Sequence, residues 1–324
     1  MKIGNLGTGN KETVATPPFT LEQTDLYVKF VQSVTGYDNK SYDQPKPIEK
    51  QDWNGFTYIN DIQYGSDYKR SFLDLYLSGK ENAPTLFYTH GSGWAAGDKT
   101  MPSPGREFMF KLFLEKGYNV VAITYGMTPE NRYPSQLHQF AQSVEFLLNH
   151  GKKYGISMDK IVFSGASAGG NLAAQYINTQ LNPEYAQKVG VKVVLSKENF
   201  QATIFYGALF EGSQINSGNN FNDLVFDSVT MSYLGEAGHP NYEENSPLKN
   251  ATADFPPTFI SDGNHGSFAN QAELFARRLT ELGVKNQLMI LPISEGIFTH
   301  GFEESDSPQA LKVIQKSFEF AIEQ

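Results

Sequence analysis

Eight stretches of the chain carry the short, branched and aromatic runs of β-strands: Phe56–Tyr64, Phe72–Leu77, Pro84–His90, Tyr118–Tyr125, Lys160–Gly165, Gln201–Leu209, Pro257–Gly263 and Asn286–Ile293. The first two are separated by Ser66–Arg70 and read as an antiparallel pair. The later ones alternate with stretches of helical spacing, at 102–117, 133–155, 168–181, 267–283 and 307–324. Such alternation predicts an α/β chain with a mostly parallel eight-stranded sheet and helices on both faces. Residues 211–250 are turn-rich, with a helical patch near Val225–Leu234, and read as an insertion on the sheet. Residues 1–50 read as an N-terminal extension containing one amphipathic helix, Leu21–Val34, ahead of a main domain at 51–324.

Composition narrows the picture only a little. Of 324 residues, 40% are hydrophobic and 19% charged, ordinary for a globular chain that packs a large core. The net charge of −9 comes without a Lys/Arg block, which argues against nucleic acid as a partner. With no cysteine there is no disulfide, thiolate metal site or cysteine nucleophile. No apolar run is long enough to span a bilayer and no export signal is visible, so the expected compartment defaults to the cytoplasm, or lies outside it if a leader was trimmed. Oligomeric state is not legible.

Candidate chemistry centres on Gly165-Ala166-Ser167-Ala168-Gly169. A strand-like run precedes it and a helical run follows, so Ser167 falls on a sharp strand-to-helix turn, the context that G-x-S-x-G requires. Small neighbours let the turn close, and the turn aims the Ala168 N–H and the positive end of the helix at whatever oxygen the serine attacks.

A second motif, His90-Gly91-Ser92-Gly93-Trp94, follows the third strand. Together with the serine motif it resembles the α/β-hydrolase superfamily, and within it the esterases related to hormone-sensitive lipase, from about Phe56 to the C-terminus. The resemblance implies an α/β-hydrolase fold with a small cap over the catalytic domain. It also implies an oxyanion hole made by the backbone N–H groups of Ser92, Gly93 and Ala168. Gly91 and Trp94 are expected to line the substrate, and His90 to shape the loop. The family carries glycine where Ser92 stands. Thr124–Leu137 resembles a scaffolding segment of the same group.

Serine needs a base and the base an orienting acid. The superfamily order puts the base last, and Thr299-His300-Gly301-Phe302 matches its His-Gly-Phe, so His300 is the expected base. Counting beyond the penultimate strand for the acid lands on Gly266. The carboxylate in that loop is Asp262, which becomes the expected acid; Glu295, Asp306 or no acid at all remain open. His265 is a candidate hydrogen-bonding residue facing the cleft. His138 and His150 read as helix residues and His239 as a turn residue.

The expected activity is cofactor-free hydrolysis of carboxylic esters of small to medium acyl groups through an acyl-enzyme. Alternatives are an amidase or formamidase, a sugar-ester deacetylase or feruloyl-type esterase using the same residues, and a binding protein that has lost catalysis. No metal is expected, because no paired His/carboxylate spacing appears. Gly7-Thr8-Gly9 is not a dinucleotide site, since Glu12 stands where a third glycine is needed. By the same resemblance, the helix Leu21–Val34 and the segment 211–234 are expected to cover an apolar acyl pocket; the alternative is that the helix merely packs on the sheet edge.

Overall fold

The computed structural model describes residues 19–36 and 48–324. The rest of the N-terminal extension, including the Gly7-Thr8-Gly9 stretch, lies outside the described residues. The nine strands of the sheet are β1 (Lys50–Trp53), β2 (Phe56–Gln63), β3 (Phe72–Leu77), β4 (Thr85–Thr89), β5 (Asn119–Ile123), β6 (Ile161–Ala166), β7 (Phe200–Tyr206), β8 (Thr258–Asp262) and β9 (Asn286–Ile290). Their spatial order is β1-β2-β3-β5-β4-β6-β7-β8-β9. β1 to β3 pair antiparallel and β3 joins β5 antiparallel, after which every pairing is parallel.

Eight strands match the expectation and β1 is additional. Lys50-Gln51-Asp52-Trp53 is an exposed, polar edge strand without the apolar alternation of its neighbours. It pairs with β2 across Asn54 (φ 52°) and Gly55 (φ 86°), a two-residue turn whose left-handed conformations suit Asn-Gly.

Alternating side chains on the strands build two cores. On one face, Phe87 and Phe163 meet α3 (Ser135–His150) and α4 (Ala168–Leu181) through Phe140 and Tyr176, and Phe205 meets α9 (Ala269–Glu281) through Phe275. On the other, Leu86, Val162 and Ile204 meet α2 (Pro104–Lys116) and α10 (Pro308–Ile322) through Phe110, Phe113 and Ile314. A buried charged cluster lies under the β2–β3 pair: Lys99 Nζ sits 2.6 Å from Asp61 and 3.2 Å from Asp74.

The amphipathic stretch forms α1 (Leu21–Thr35), started by a Thr20/Gln23 capping box and stopped by left-handed Gly36 (φ 75°). α5 (Pro183–Val189) follows α4, and residues 211–250 carry α6 (Asn220–Leu234), which packs on α1, then the short α7 (Asn241–Glu244) and α8 (Pro247–Asn250). Asp25 of α1 pairs with Arg132 and accepts from the Ser232 hydroxyl of α6.

Candidate active site

β6 ends at Ala166 and α4 begins at Ala168, which leaves Ser167 alone on the turn at φ 50°, ψ −119°. That strained conformation is affordable only because its neighbours are bare. A Cβ on Gly169 would stand 2.2 Å from the Thr89 carbonyl oxygen, and one on Gly165 would stand 2.5 Å from the Gly169 backbone. The Ser167 N–H donates to the Tyr206 carbonyl at 2.8 Å, pinning the turn to β7.

His300 arrives from the loop after β9. Its Nε2 lies 2.9 Å from Ser167 Oγ. Phe226 and Phe268, each 4.9 Å away between ring centres in T-shaped contacts, hold the half-buried imidazole. Burial lowers its pKa to about 4, so the ring is neutral and able to accept a proton at neutral pH.

The loop after β4 runs through three successive left-handed residues, Ser92 (φ 74°), Gly93 (φ 62°) and Trp94 (φ 56°). Two of them are not glycine, which marks a backbone held under strain by its surroundings. The hold is visible. His90 stacks on Tyr125 at 4.4 Å, and the Tyr125 hydroxyl donates to the His90 carbonyl at 2.8 Å. The Thr128 N–H donates to the Trp94 carbonyl at 2.9 Å. Gln32 of α1 donates to the carbonyls of Ala95 and Thr128, both at 2.8 Å. His90 is fully buried, and burial lowers its pKa to about 3, which fits a loop-shaping residue rather than a base. Among the described residues, the N–H groups of Ser92, Gly93 and Ala168 have no acceptor. Gly91 packs directly on the nucleophile: a Cβ there would lie 3.1 Å from that of Ser167.

A cavity of about 340 Å³ opens over Ser167 and His300. Its walls are mostly apolar: Tyr27, Val28 and Val31 of α1, and Val225, Phe226 and Val229 of α6, with Gly91, Ser92 and Gly93 at the loop. Trp94, expected at the substrate, is not there. It is 2% exposed and stacks on Tyr233 at 4.2 Å, because its left-handed backbone sits where Tyr233 receives the ring beneath the loop.

The expected acid, Asp262, is fully buried at the end of β8 but makes no direct hydrogen bond to His300. Ser267 stands between them. Its Oγ lies 2.9 Å from His300 Nδ1 and donates a short hydrogen bond to Asp262 Oδ1, which also accepts the Gly263 N–H at 2.7 Å. Burial raises Asp262 to about 7 against the pull of those hydrogen bonds. Behind it lies Glu303, also buried; it accepts from Ser261 at 2.8 Å, and burial together with the Asp262 charge raises it to about 8. Of the other candidates, Glu295 pairs with Lys312 at 3.1 Å on the surface, and Asp306 and His265 are exposed. Ser267, Glu303 and Gln32 were not singled out by the sequence. No spacing rule points to them, since each acts through the direction of a side chain set by tertiary contacts.

Among the described residues, no cluster of three or more His, Asp or Glu could hold a metal ion, and no helix is long and apolar enough to cross a membrane.

Residues 73–279 match the BD-FAE family model. The chain is 24% identical over 240 residues to the probable carboxylic ester hydrolase LipM of Mycobacterium tuberculosis, covering 71% of this chain and 53% of LipM. The chain thus spans about half the length of that relative. It is 25% identical over 268 residues to an esterase of Fusarium pseudograminearum, covering 78% of each. Among solved structures, esterase B of Lactobacillus rhamnosis superposes with a TM-score of 0.74 at 20% identity, over 94% of this chain and 97% of that one. The carboxylesterase EstE1, cloned from a metagenomic library, gives 0.66 at 16% identity, over 94% and 98%. A serine on a strained β6–α4 turn, a histidine from beyond the last strand and a match over most of the sheet converge on one conclusion: the chain belongs to the BD-FAE family, built on the α/β-hydrolase fold.

Proposed function

We propose that the protein is a serine hydrolase of carboxylic esters that works through an acyl-enzyme. Ser167 Oγ attacks the ester carbonyl while His300 Nε2 takes its proton. The developing oxyanion is bound by the free N–H groups of Ser92, Gly93 and Ala168. The tetrahedral species collapses, and His300 returns the proton to the departing alcohol. A water then enters and loses its proton to His300 as it attacks the acyl carbon. Collapse releases the acid as His300 returns that proton to Ser167 Oγ, restoring the hydroxyl and the neutral imidazole. Asp262 is the carboxylate that favours the charged imidazole.

The observation that carries this reading is the 2.9 Å contact between Ser167 Oγ and His300 Nε2 on the floor of an open cavity. The cavity's apolar walls support an apolar acyl chain of small to medium size over an acetylated sugar, whose hydroxyls would meet few polar partners. α1 and α6 supply those walls, and we read them as a cap on the catalytic domain. Gly91 belongs with the substrate contacts. Trp94 supports the loop from beneath.

The test is turnover of nitrophenyl esters of graded acyl length, with a phosphonate to mark the nucleophile. Ser167→Ala is expected to lower kcat by about 10⁶-fold, and wild-type Ser167 to be labelled. Retained turnover in that variant, or a phosphonate attached elsewhere, defeats the proposal.

A further inference from the structure

We infer that Ser267 is a positioning residue that links Asp262 to His300, so that the orienting device is a carboxylate acting through a hydroxyl instead of a carboxylate touching the imidazole. The inference rests on the proposed roles of Ser167, His300 and Asp262 and adds a fourth member to them.

Two hydrogen bonds carry it. Ser267 is 4% exposed, and its Oγ contacts both His300 Nδ1, at 2.9 Å, and Asp262 Oδ1. A hydroxyl has one proton to donate and lone pairs to accept with. Above its raised value of about 7, Asp262 is a carboxylate and only accepts, so the hydroxyl proton points to it. The Ser267 oxygen then faces Nδ1 as an acceptor, which requires a proton on Nδ1. That leaves Nε2 bare, the tautomer needed to receive the Ser167 proton. The order is therefore Ser167 O–H to Nε2, Nδ1–H to Ser267 Oγ, Ser267 O–H to Asp262. Each donor polarises the next. When Ser167 attacks, one proton moves, from its oxygen to Nε2. Nδ1 keeps its proton, Ser267 keeps its own, and Asp262 remains a carboxylate. The imidazolium charge is felt by Asp262 through the hydroxyl.

The local backbone fits this role. Gly263 could not carry a side chain, because a Cβ would come within 2.6 Å of the Phe298 carbonyl oxygen, and left-handed Gly266 (φ 59°) turns the loop just before Ser267. The His300 loop and the β8 loop are thus in direct contact at the point where the hydroxyl is delivered. The Asn264 side chain ties them again, donating to the Leu291 and Gly296 carbonyls at 2.9 Å. The titratable groups beside the row are Asp262 on β8, Glu303, which feels the Asp262 charge, and Glu304, which shares the cavity wall with His300.

The experiment compares Ser267→Val with Ser267→Thr, two side chains of one shape that differ by the hydroxyl. Ser267→Val is expected to lower kcat by about 10- to 100-fold, with KM little changed, and Ser267→Thr to recover most of the loss. The acid limb of the pH profile should move to lower pH in Ser267→Val, because the imidazolium has lost its link to the carboxylate. Adding Asp262→Asn should then cost far less in the Ser267→Val background than alone, since both changes cut the same chain. In wild-type protein with labelled histidine, nitrogen resonances should place the His300 proton on Nδ1, a measurement that needs no variant. Equal kcat for the Val and Thr variants, an undiminished Asp262→Asn effect in the Val background, or a proton found on Nε2 in the wild type would each overturn the relay. Ser167→Ala separates this outcome from failure of the wider reading: an inactive Ser167→Ala beside an unaffected Ser267→Val sinks the relay alone.

Discussion

Two buried carboxyls behind the imidazole make the protein's stability depend on pH in a window where most proteins are indifferent. Burial raises Asp262 to about 7, and burial with the Asp262 charge raises Glu303 to about 8. In the unfolded chain both titrate near the usual carboxyl range, about 4. Between those limits the folded state holds protons that the unfolded state has lost, so stability falls as pH rises through the folded values. His90 and His300 work in the opposite sense, since burial lowers both, and their contribution is nearly complete by about one pH unit above the ordinary imidazole value of about 6.5. From about pH 6.5 to about pH 8.5 the carboxyls outweigh them. Integrating the linkage over that interval gives a loss of about 2 kcal/mol from Glu303 and about 1 kcal/mol from Asp262, offset by about 1 kcal/mol from the two imidazoles, a net fall of about 2 kcal/mol. For a chain of this size that is a fall of about 3 °C in Tm. Glu303→Gln keeps an acceptor for the Ser261 hydroxyl but cannot ionise, so it should remove most of the slope. Calorimetric Tm values across the interval measure both quantities. A wild-type Tm that is flat or rises with pH, or a Glu303→Gln variant with the wild-type slope, would show that these carboxyls are not held protonated by the fold. Activity should run the other way over the same range, because Asp262 must be ionised to favour the imidazolium.

Gln32→Leu strips the Ala95 and Thr128 carbonyls of their shared donor and should cost about 2–4 kcal/mol of local stability. Loosening α1 should raise KM for hexanoate esters by about tenfold and leave acetate esters nearly unchanged, which the acyl-length series measures. Gly91→Ala puts a Cβ 2.8 Å from the Ala166 carbonyl oxygen and 3.1 Å from Ser167 Cβ. The displaced nucleophile should lose about 10²-fold in kcat while circular dichroism and Tm report an intact fold. Lys99→Met leaves Asp61 and Asp74 buried without their shared cation and should cost about 3–5 kcal/mol in denaturant unfolding.

How much of this was legible in the sequence follows from what each feature depends on. The inner strands β4 to β8 announced themselves because each is a short run, mostly apolar and buried on both faces, such as Val120-Val121-Ala122-Ile123. Ser167 was legible because its turn demands small residues at fixed offsets, and those residues do stand where a Cβ would collide with the chain. β1 was missed because an exposed edge strand has no need of apolar alternation, although Asn54-Gly55 marked its hairpin. Trp94 was misplaced for a related reason. Proximity to the oxyanion loop says nothing about which way a left-handed residue points its ring, and Tyr233, far along the chain, decides that.

The acid shows the limit most clearly. Counting along the loop lands on Gly266, one residue short of the side chain that meets the imidazole, and Asp262 is the carboxylate that the loop contains. Both steps touched part of the arrangement. What neither could supply is that the position next to the imidazole is filled by a hydroxyl and the charge lies behind it. A carboxylate in direct contact would place its charge against Nδ1; moved one hydroxyl further back, it weakens its hold on the imidazolium and is itself more deeply buried. That retreat brings Asp262 beside Glu303: burial raises Asp262, and burial together with the Asp262 charge raises Glu303. The indirect acid and the pH-sensitive stability are thus one structural choice seen from two sides. Ser267→Asp is the change that should separate them, bringing charge back to the imidazole at the cost of a third carboxylate in a pocket that already resists two.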